Sequence, residues 1–275
     1  MKNVGVIIRS TGEPTEGLCF SILSKQVERE KICVIKGVTP FYNALINSYR
    51  QAVKIGQEYT AIVDADIIPS PDAIYRVEQY CEKLCDSKVL CITVRILDHF
   101  FVTERSGGIH FYKTSLLNEI LQCCDVGELK KVLRPEAFLK QKMLDRGYKI
   151  LTLNNVLGMH EFLCSKYDII NKNIFKARKF KDKVESSYAR RRMMAIFSPS
   201  QRIVNQVYLC YSNTEIICDK NDEIVTNVAR QLGIDAEKIY TCNRFLIMLL
   251  RVGAFQRIYL MYFRVLYKMI NRCCI

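Results

Sequence analysis

Two aspartates one residue apart, Asp64 and Asp66, end an apolar run in "YTAIVDAD". Alternate residues of a strand point the same way, so both carboxylates fall on one side, about 6 Å apart. At that spacing two charges repel by about 2–3 kcal/mol at an effective dielectric near 20, less where solvent reaches the strand end. A divalent cation relieves the repulsion. Hard carboxylate oxygens suit Mg²⁺ or Mn²⁺, and a metal so held can clamp a diphosphate. Asp-x-Asp alone describes two solvated loop acids equally well. The next residues of the chain sharpen it: Ser70 suits a helix cap, Pro71 the first helical position and Asp72 the helix dipole. Ile74, Val77, Cys81 and Leu84 then recur at helical spacing.

These acids need a frame. Apolar runs of strand length occur at 3–8, 31–36, 59–64, 89–96, 108–113 and 148–153, mostly separated by helical patterns. Strand alternating with helix predicts an α/β layer with a mostly parallel sheet flanked by helices. Ligands of such sheets bind at the carboxyl ends of strands, where Asp64 and Asp66 fall. Between two of the runs lies "ERSGGIHFYKTS". Gly107 and Gly108 either let the backbone approach a ligand or make a tight turn. His110 alternates with Ile109 and Phe111, and it faces either a cleft or a satisfied strand environment. His99, in "LDHFFV", reads as a structural residue.

Two segments, "NALINSYRQAVKIGQEYTAIVDADIIPSPDAI" (43–74) and "RPEAFLKQKMLDRGYKILTLNNVLGMHEF" (134–162), resemble the GT-A glycosyltransferases of the family 2 type. The resemblance spans residues 1 to about 162 and implies a Rossmann-like GT-A fold. It implies a metal-dependent hexosyltransferase, inverting at the sugar carbon, with a nucleotide-diphosphate sugar as donor, UDP-linked in preference to GDP-linked. Asp64 would face the ribose or the metal, Asp66 would ligate the metal, and His160 would approach metal or diphosphate from across the cleft. Taken by itself, His160 is equally a core or surface histidine. Ile8, Arg9 and Ser10 would border the nucleotide. Lys36 stands where relatives place an acidic group near the base. Gly107, Gly108 and His110 would face the acceptor. Glu136 matches the position of the family's general base, although Pro135 precedes it where the family has an acid. As the second residue of a helix it is also a plain helix start, with the dipole favouring its ionised form.

The whole chain has 275 residues and a formal charge of +13, unevenly spread. Residues 1–165 are nearly balanced, with 21 Lys/Arg against 19 Asp/Glu, whereas residues 166–275 carry 20 against 9, a net +11. The expected division is a catalytic domain over 1–165 and a basic helical region over 166–275. Basic residues punctuate the apolar stretch 244–275 at spacings that put most of them on one helical face. That pattern suits a helix lying on an anionic membrane surface, or C-terminal helices packed with a solvated basic face. A lipid-linked saccharide or other glycan acceptor, as in lipopolysaccharide or polysaccharide synthesis, fits a cytoplasmic enzyme at the inner membrane face. The Arg190-Arg191-Arg192 triplet has neither aromatic platforms nor a nucleic-acid-binding motif beside it, so no nucleic-acid partner is expected. The 13 cysteines are scattered through apolar runs and form no four-ligand zinc pattern. Three rivals remain. Asp-nucleophile phosphatases carry their Asp-x-Asp on the first strand, and nucleotidylyltransferases open with a glycine-rich loop absent here. The third is a GT-A-like scaffold that only binds.

Overall fold

Strand-length apolar runs and amphipathic helices assemble into a seven-stranded mixed sheet covered on both faces. The structure, a computed structural model, describes residues 3–84, 86–101, 103–162, 166–179 and 221–231, with a few positions between 233 and 261. The strands are β1 (Val4–Ser10), β2 (Ile32–Lys36), β3 (Tyr59–Asp64), β4 (Ile67–Pro69), β5 (Val89–Asp98), β6 (Thr103–Lys113) and β7 (Lys149–His160), and they lie in the order β2-β1-β3-β6-β5-β7-β4. β1 runs parallel to β2 and β3, while the β3–β6 and β4–β7 pairs are antiparallel. The expected α/β layering is present, and the sheet is mixed: β2-β1-β3 is parallel, and β5 and β7 also advance together, with the Lys149 N–H donating to the Lys88 carbonyl at 2.9 Å and the Thr93 hydroxyl meeting that of Thr152 at 2.9 Å.

Burial explains the layering. Every residue of β1 is buried, as a strand covered on both faces must be. Helices α1 (Glu16–Leu23) and α3 (Ala73–Cys81) cover one face, where Cys19, Leu23, Ile74 and Val77 join Val6, Ile8 and Val63 in one core. Helices α2 (Phe41–Ile55), α4 (Thr114–Gln122), α5 (Val126–Lys131) and α6 (Pro135–Asp145) cover the other. There Leu45, Tyr49, Leu117, Leu139 and Met143 pack on Ile7, Ile62 and Tyr112. Gly56, left-handed at φ 70°, ends α2 and returns the chain to β3.

The chain leaves β1 for β2 on one side, then crosses back to β3 on the other. The carboxyl end of β1 is therefore the topological switch point, the usual crevice for a ligand in such sheets. Its register sets Arg9 beside Asp64 of β3 and Ser10 beside Lys36 of β2.

The chain divides into two units. The sheet belongs to the first, made of Met1–Leu97, Glu104–His160 and Met248–Gln256. The second comprises Asp98–Thr103, Glu161–Ile247 and Arg257–Ile275. Within it, α7 (Lys166–Lys179) packs against the helix Asn221–Gln231. His99 is half-buried there, its Nδ1 2.8 Å from the Tyr259 hydroxyl and its ring against Phe162. The arginine triplet and most of 244–275 lie outside the described residues. Among those described, no helix is long and apolar enough to cross a membrane.

β4 is the element that the sequence pattern does not announce. Its Ile67 is fully buried over two glycines, Gly158 of the adjacent β7 and Gly108 of β6. A Cβ on Gly108 would lie 2.0 Å from Ile67 Cδ1, and one on Gly158 2.8 Å from Ile67 Cγ2. Gly108 also has φ +74°. Gly108→Ala combines overpacking with left-handed strain and is expected to destabilise the protein by about 3 kcal/mol. Gly147→Ala, at φ +86° with nothing within 4 Å, carries the strain alone, about 1–2 kcal/mol. Urea denaturation of both variants checks the difference; equal losses would remove the Ile67 contact as its cause.

Candidate active site

At the switch point a buried arginine binds two acids. Arg9 is 5% exposed. With Ile7 it faces the α2 side of the sheet. Its Nε donates to Asp64 Oδ1 at 2.8 Å, and its Nη2 lies 3.3 Å from Glu136 Oε2. Burial works against the charge, but Asp64 and Glu136, with Tyr49 and Tyr112 adding, hold Arg9 above its ordinary value. Arginine stays charged in any case, so burying it requires paired carboxylates.

Glu136 sits at the second position of α6, after Pro135. Four groups reach it. Besides Arg9, the Tyr112 hydroxyl donates to Oε1 at 2.7 Å, Lys140 Nζ lies 3.0 Å from Oε1, and His110 Nε2 3.4 Å. The Tyr49 hydroxyl in turn donates to the Tyr112 oxygen at 3.2 Å. Lys140 is one helical turn beyond Glu136, the spacing at which opposite charges meet. Its ammonium lies 3.1 Å from His110 Nδ1. An ammonium only donates, so Nδ1 accepts and the ring proton resides on Nε2, aimed at Glu136. Burial pushes the His110 imidazole down to about 3, keeping it neutral, although the nearby Glu136 acts the other way. For Glu136, burial opposes ionisation, yet His110, Lys140, Arg9 and the Tyr112 hydroxyl hold it well below the usual carboxylate range.

The two aspartates part company. Asp64 turns to Arg9, while Asp66 turns to β7, where His160 Nε2 lies 3.2 Å from Asp66 Oδ2. Between them the Thr15 hydroxyl donates to the Ala65 carbonyl at 2.6 Å, and the Ala65 N–H donates to the Arg9 carbonyl at 2.8 Å, fixing the bend. Arg105 of β6 brings Nη2 to 3.2 Å from His160 Nδ1. The same nitrogen lies 3.4 Å from His160 Nε2, so the guanidinium sits beside both ring nitrogens. Burial pushes the Asp64 carboxyl up to about 6, Arg9 opposes the rise, and Asp66 and Glu136 add to it. The Asp64 side chain is still 35% exposed, so solvent tempers that rise.

Carboxylate oxygens and an imidazole nitrogen are donor types that Mn²⁺ accepts. Asp66 and His160 offer such a pair, and Asp64 stands two residues away, committed to Arg9. The donor set fits a cation at Asp66 and His160.

The candidate residues thus form two adjoining groups, Arg9–Asp64–His110–Glu136 and Asp66–His160. Other placements differ from the sequence expectations. The Ile8 side chain is fully buried in the core on the α1 side and offers nothing to a nucleotide. Gly107 and Gly108 lie inside β6 rather than in a turn, and Gly108 accommodates Ile67. His110 faces α6. His160 ends β7, paired in register with Ile67. Lys36 is bound by Glu16 at 2.9 Å, and Glu16 also accepts from Ser10. An acid from α1 therefore stands beside Lys36. Tyr49, Tyr112, Lys140, Arg105 and Glu16 escaped the sequence reading. Only two had a signal: Lys140 four residues past Glu136, and Tyr112 two past His110 on one strand face.

No protein-family model matches the chain, and no curated protein matches it in sequence. Solved structures similar to it include A197 from STIV, at 11% identity and TM-score 0.41, over 57% of this chain and 85% of that one. A cytidylyltransferase from Leptospira borgpetersenii serovar Hardjo-bovis is similar at 12% identity and TM-score 0.37, over 57% and 78%. So is a glycosyltransferase involved in the glycosylation of the major capsid of PBCV-1, at 12% and 0.34, over 57% and 94%. Each is a distant, partial likeness of fold.

The buried histidine gives a pH dependence. Its folded value lies below the unfolded 6.5, so its contribution to stability is complete above pH 6.5 and is lost as pH falls toward 3. Asp64, raised to about 6, acts in the opposite sense between pH 6 and about 4. His110→Gln removes the first contribution. Its unfolding free energy is expected to fall less steeply than the wild type's between pH 6.5 and 4.5, measured by urea denaturation across that range. Parallel curves would mean that His110 takes up its proton in the folded protein as easily as in the unfolded one.

Proposed function

We propose that this protein is a metal-dependent glycosyltransferase that moves a hexose from a nucleotide-diphosphate sugar to a glycan or lipid-linked acceptor with inversion. The observation that carries the reading is the Asp66–His160 pair, flanked by Arg105 and adjoining Arg9–Asp64 at the switch point of the sheet. A UDP-linked donor is the first choice. A divalent cation, Mn²⁺ or Mg²⁺, would be held by Asp66 and His160 and would neutralise charge on the diphosphate. Arg105, beside His160, supports the same reading as a fixed cation near the leaving group. Asp64 suits a ribose hydroxyl as hydrogen-bond acceptor, as acids do at such strand ends. In the transfer the acceptor oxygen attacks the anomeric carbon, the bond from that carbon to the diphosphate oxygen breaks, and the hydroxyl proton passes to a base. The net +11 of residues 166–275 supports an acceptor presented at an anionic membrane surface.

Glu136 is the base that the family resemblance suggests. Its neighbours favour another role. A carboxylate held far below its usual range by four partners takes a proton poorly, whereas a base works best with a value near the operating pH. The same contacts make Glu136 the anchor that fixes Arg9, Lys140 and Tyr112.

Asp66→Ala is expected to abolish the Mn²⁺-dependent rise in thermal midpoint and to lower turnover of a nucleotide sugar about 10²-fold or more. Loss of neither would dismiss the metal reading. Glu136→Gln removes the charge that Arg9 and Lys140 share. It is expected to cost about 3 kcal/mol of stability and to weaken nucleotide binding together with transfer. If transfer alone falls, by about 10²-fold, with stability and binding intact, Glu136 is the base after all. Chemical denaturation, calorimetric binding of UDP and a turnover assay on one variant separate the outcomes.

A further inference from the structure

Phe41, the first residue of α2, is a large aromatic side chain left 46% exposed. It does not stand on an idle surface. The Arg9 guanidinium carbon lies 5.0 Å from its ring centroid, within cation–π range. That same guanidinium binds Asp64 and Glu136, so the position of the ring is tied to the acids at the strand ends. Its sequence neighbour Tyr42 joins the core beneath α2, whereas Phe41 keeps nearly half its surface for solvent at the carboxyl edge of the sheet.

The groups along that edge follow the chemistry of a nucleoside diphosphate. Asp66, His160 and Arg105 suit phosphate with its cation. Asp64 suits a ribose hydroxyl. On the other side, at the end of β2, Lys36 is 63% exposed and paired with Glu16, which supplies hydrogen-bond donors and acceptors suited to the edge of a base. A planar aromatic surface is what remains to be matched. We propose that Phe41 is the stacking platform for the base of the nucleotide. This rests on the donor reading above and adds to it the residue that would hold the base. Stacking of a base on an aromatic ring tolerates any base, so Phe41 sets affinity, and Glu16 with Lys36 sets the choice among bases.

The chain contains no tryptophan, so Phe41→Trp installs a single fluorophore at the platform. UDP with Mn²⁺ is expected to quench its emission saturably, with a dissociation constant close to that of the wild type, whereas Mn²⁺ with pyrophosphate leaves the emission unchanged. In calorimetry Phe41→Ala is expected to bind UDP about tenfold or more weakly and to bind pyrophosphate within twofold of the wild type. Phe41→Leu, which keeps apolar bulk without the ring, should share the loss. Suppose instead that the wild type binds UDP, that Phe41→Ala and Phe41→Leu bind it equally well, and that the emission of Phe41→Trp ignores it. That result would overturn the platform and leave the donor reading standing. Should the wild type bind no nucleoside diphosphate at all, both fall. If Phe41→Ala does not fold, the quenching of the tryptophan variant decides.

Discussion

The buried charge of Arg9 is the constraint around which the rest of the site is arranged. A guanidinium cannot escape burial by losing its proton, and an unpaired charge so deep would cost several kcal/mol. Two carboxylates meet it, one from the end of β3 and one from the first turn of α6. Glu136 would itself be an excess charge, and Lys140 and the hydroxyl of Tyr112 balance it. The network then reaches α2 through Tyr49 and Phe41. Two helices and three strands are thus bound to one cation, and removing any one member leaves its neighbours uncompensated. A satisfied network of this kind is rigid.

The same constraint divides the labour of the two aspartates. Alternation along an ideal strand would leave Asp64 and Asp66 side by side in mutual repulsion. The bend at Ala65, held by Thr15 and by the Arg9 carbonyl, gives each its own counter-group. Asp64 is absorbed by Arg9. Asp66 is carried to His160, whose two ring nitrogens the Arg105 guanidinium approaches at 3.2 and 3.4 Å. One short motif therefore supplies both a structural ion pair and a donor set fit for a cation.

Much of this frame could be read from the chain. Apolar runs of strand length gave β1, β2, β3, β5, β6 and β7 their places; β1, β3 and β5, buried on both faces, are continuously apolar. The Pro-initiated start of α6 put Glu136 on its second position. What the sequence hid are features that arise only between elements. β4 has three residues, too few for any period to show. β6 runs through its glycine pair because Ile67 fills the space that side chains would occupy, and a glycine pair read in isolation signals a turn. The convergence of Tyr49, Tyr112 and Arg9 on Glu136 depends on four separate segments. Lys36 could not reveal its partner, since Glu16 lies on the preceding helix. The departure at Lys36 looked like a lost acid; in three dimensions the acid comes from elsewhere.

The separation of Asp66 from His160 is set by apolar packing as well as by their own attraction. The pair is largely buried, with side chains 24% and 11% exposed, and a hydrogen bond to a charged group contributes about 1.5–3 kcal/mol, but it does not by itself fix the register of the two strands. Ile67, the residue after Asp66, pairs in register with His160 and is fully buried over Gly108 and Gly158. Burying a side chain of that size contributes about 2–3 kcal/mol, and a register slip of one residue would turn it out of the core. The position of the polar pair is therefore inherited from the fit of one isoleucine on two glycines. Of the two glycines whose place in the chain suggested ligand contact, Gly108 bears on the site through Ile67, helping to decide where β4 lies and hence where the carboxylate of Asp66 meets the imidazole.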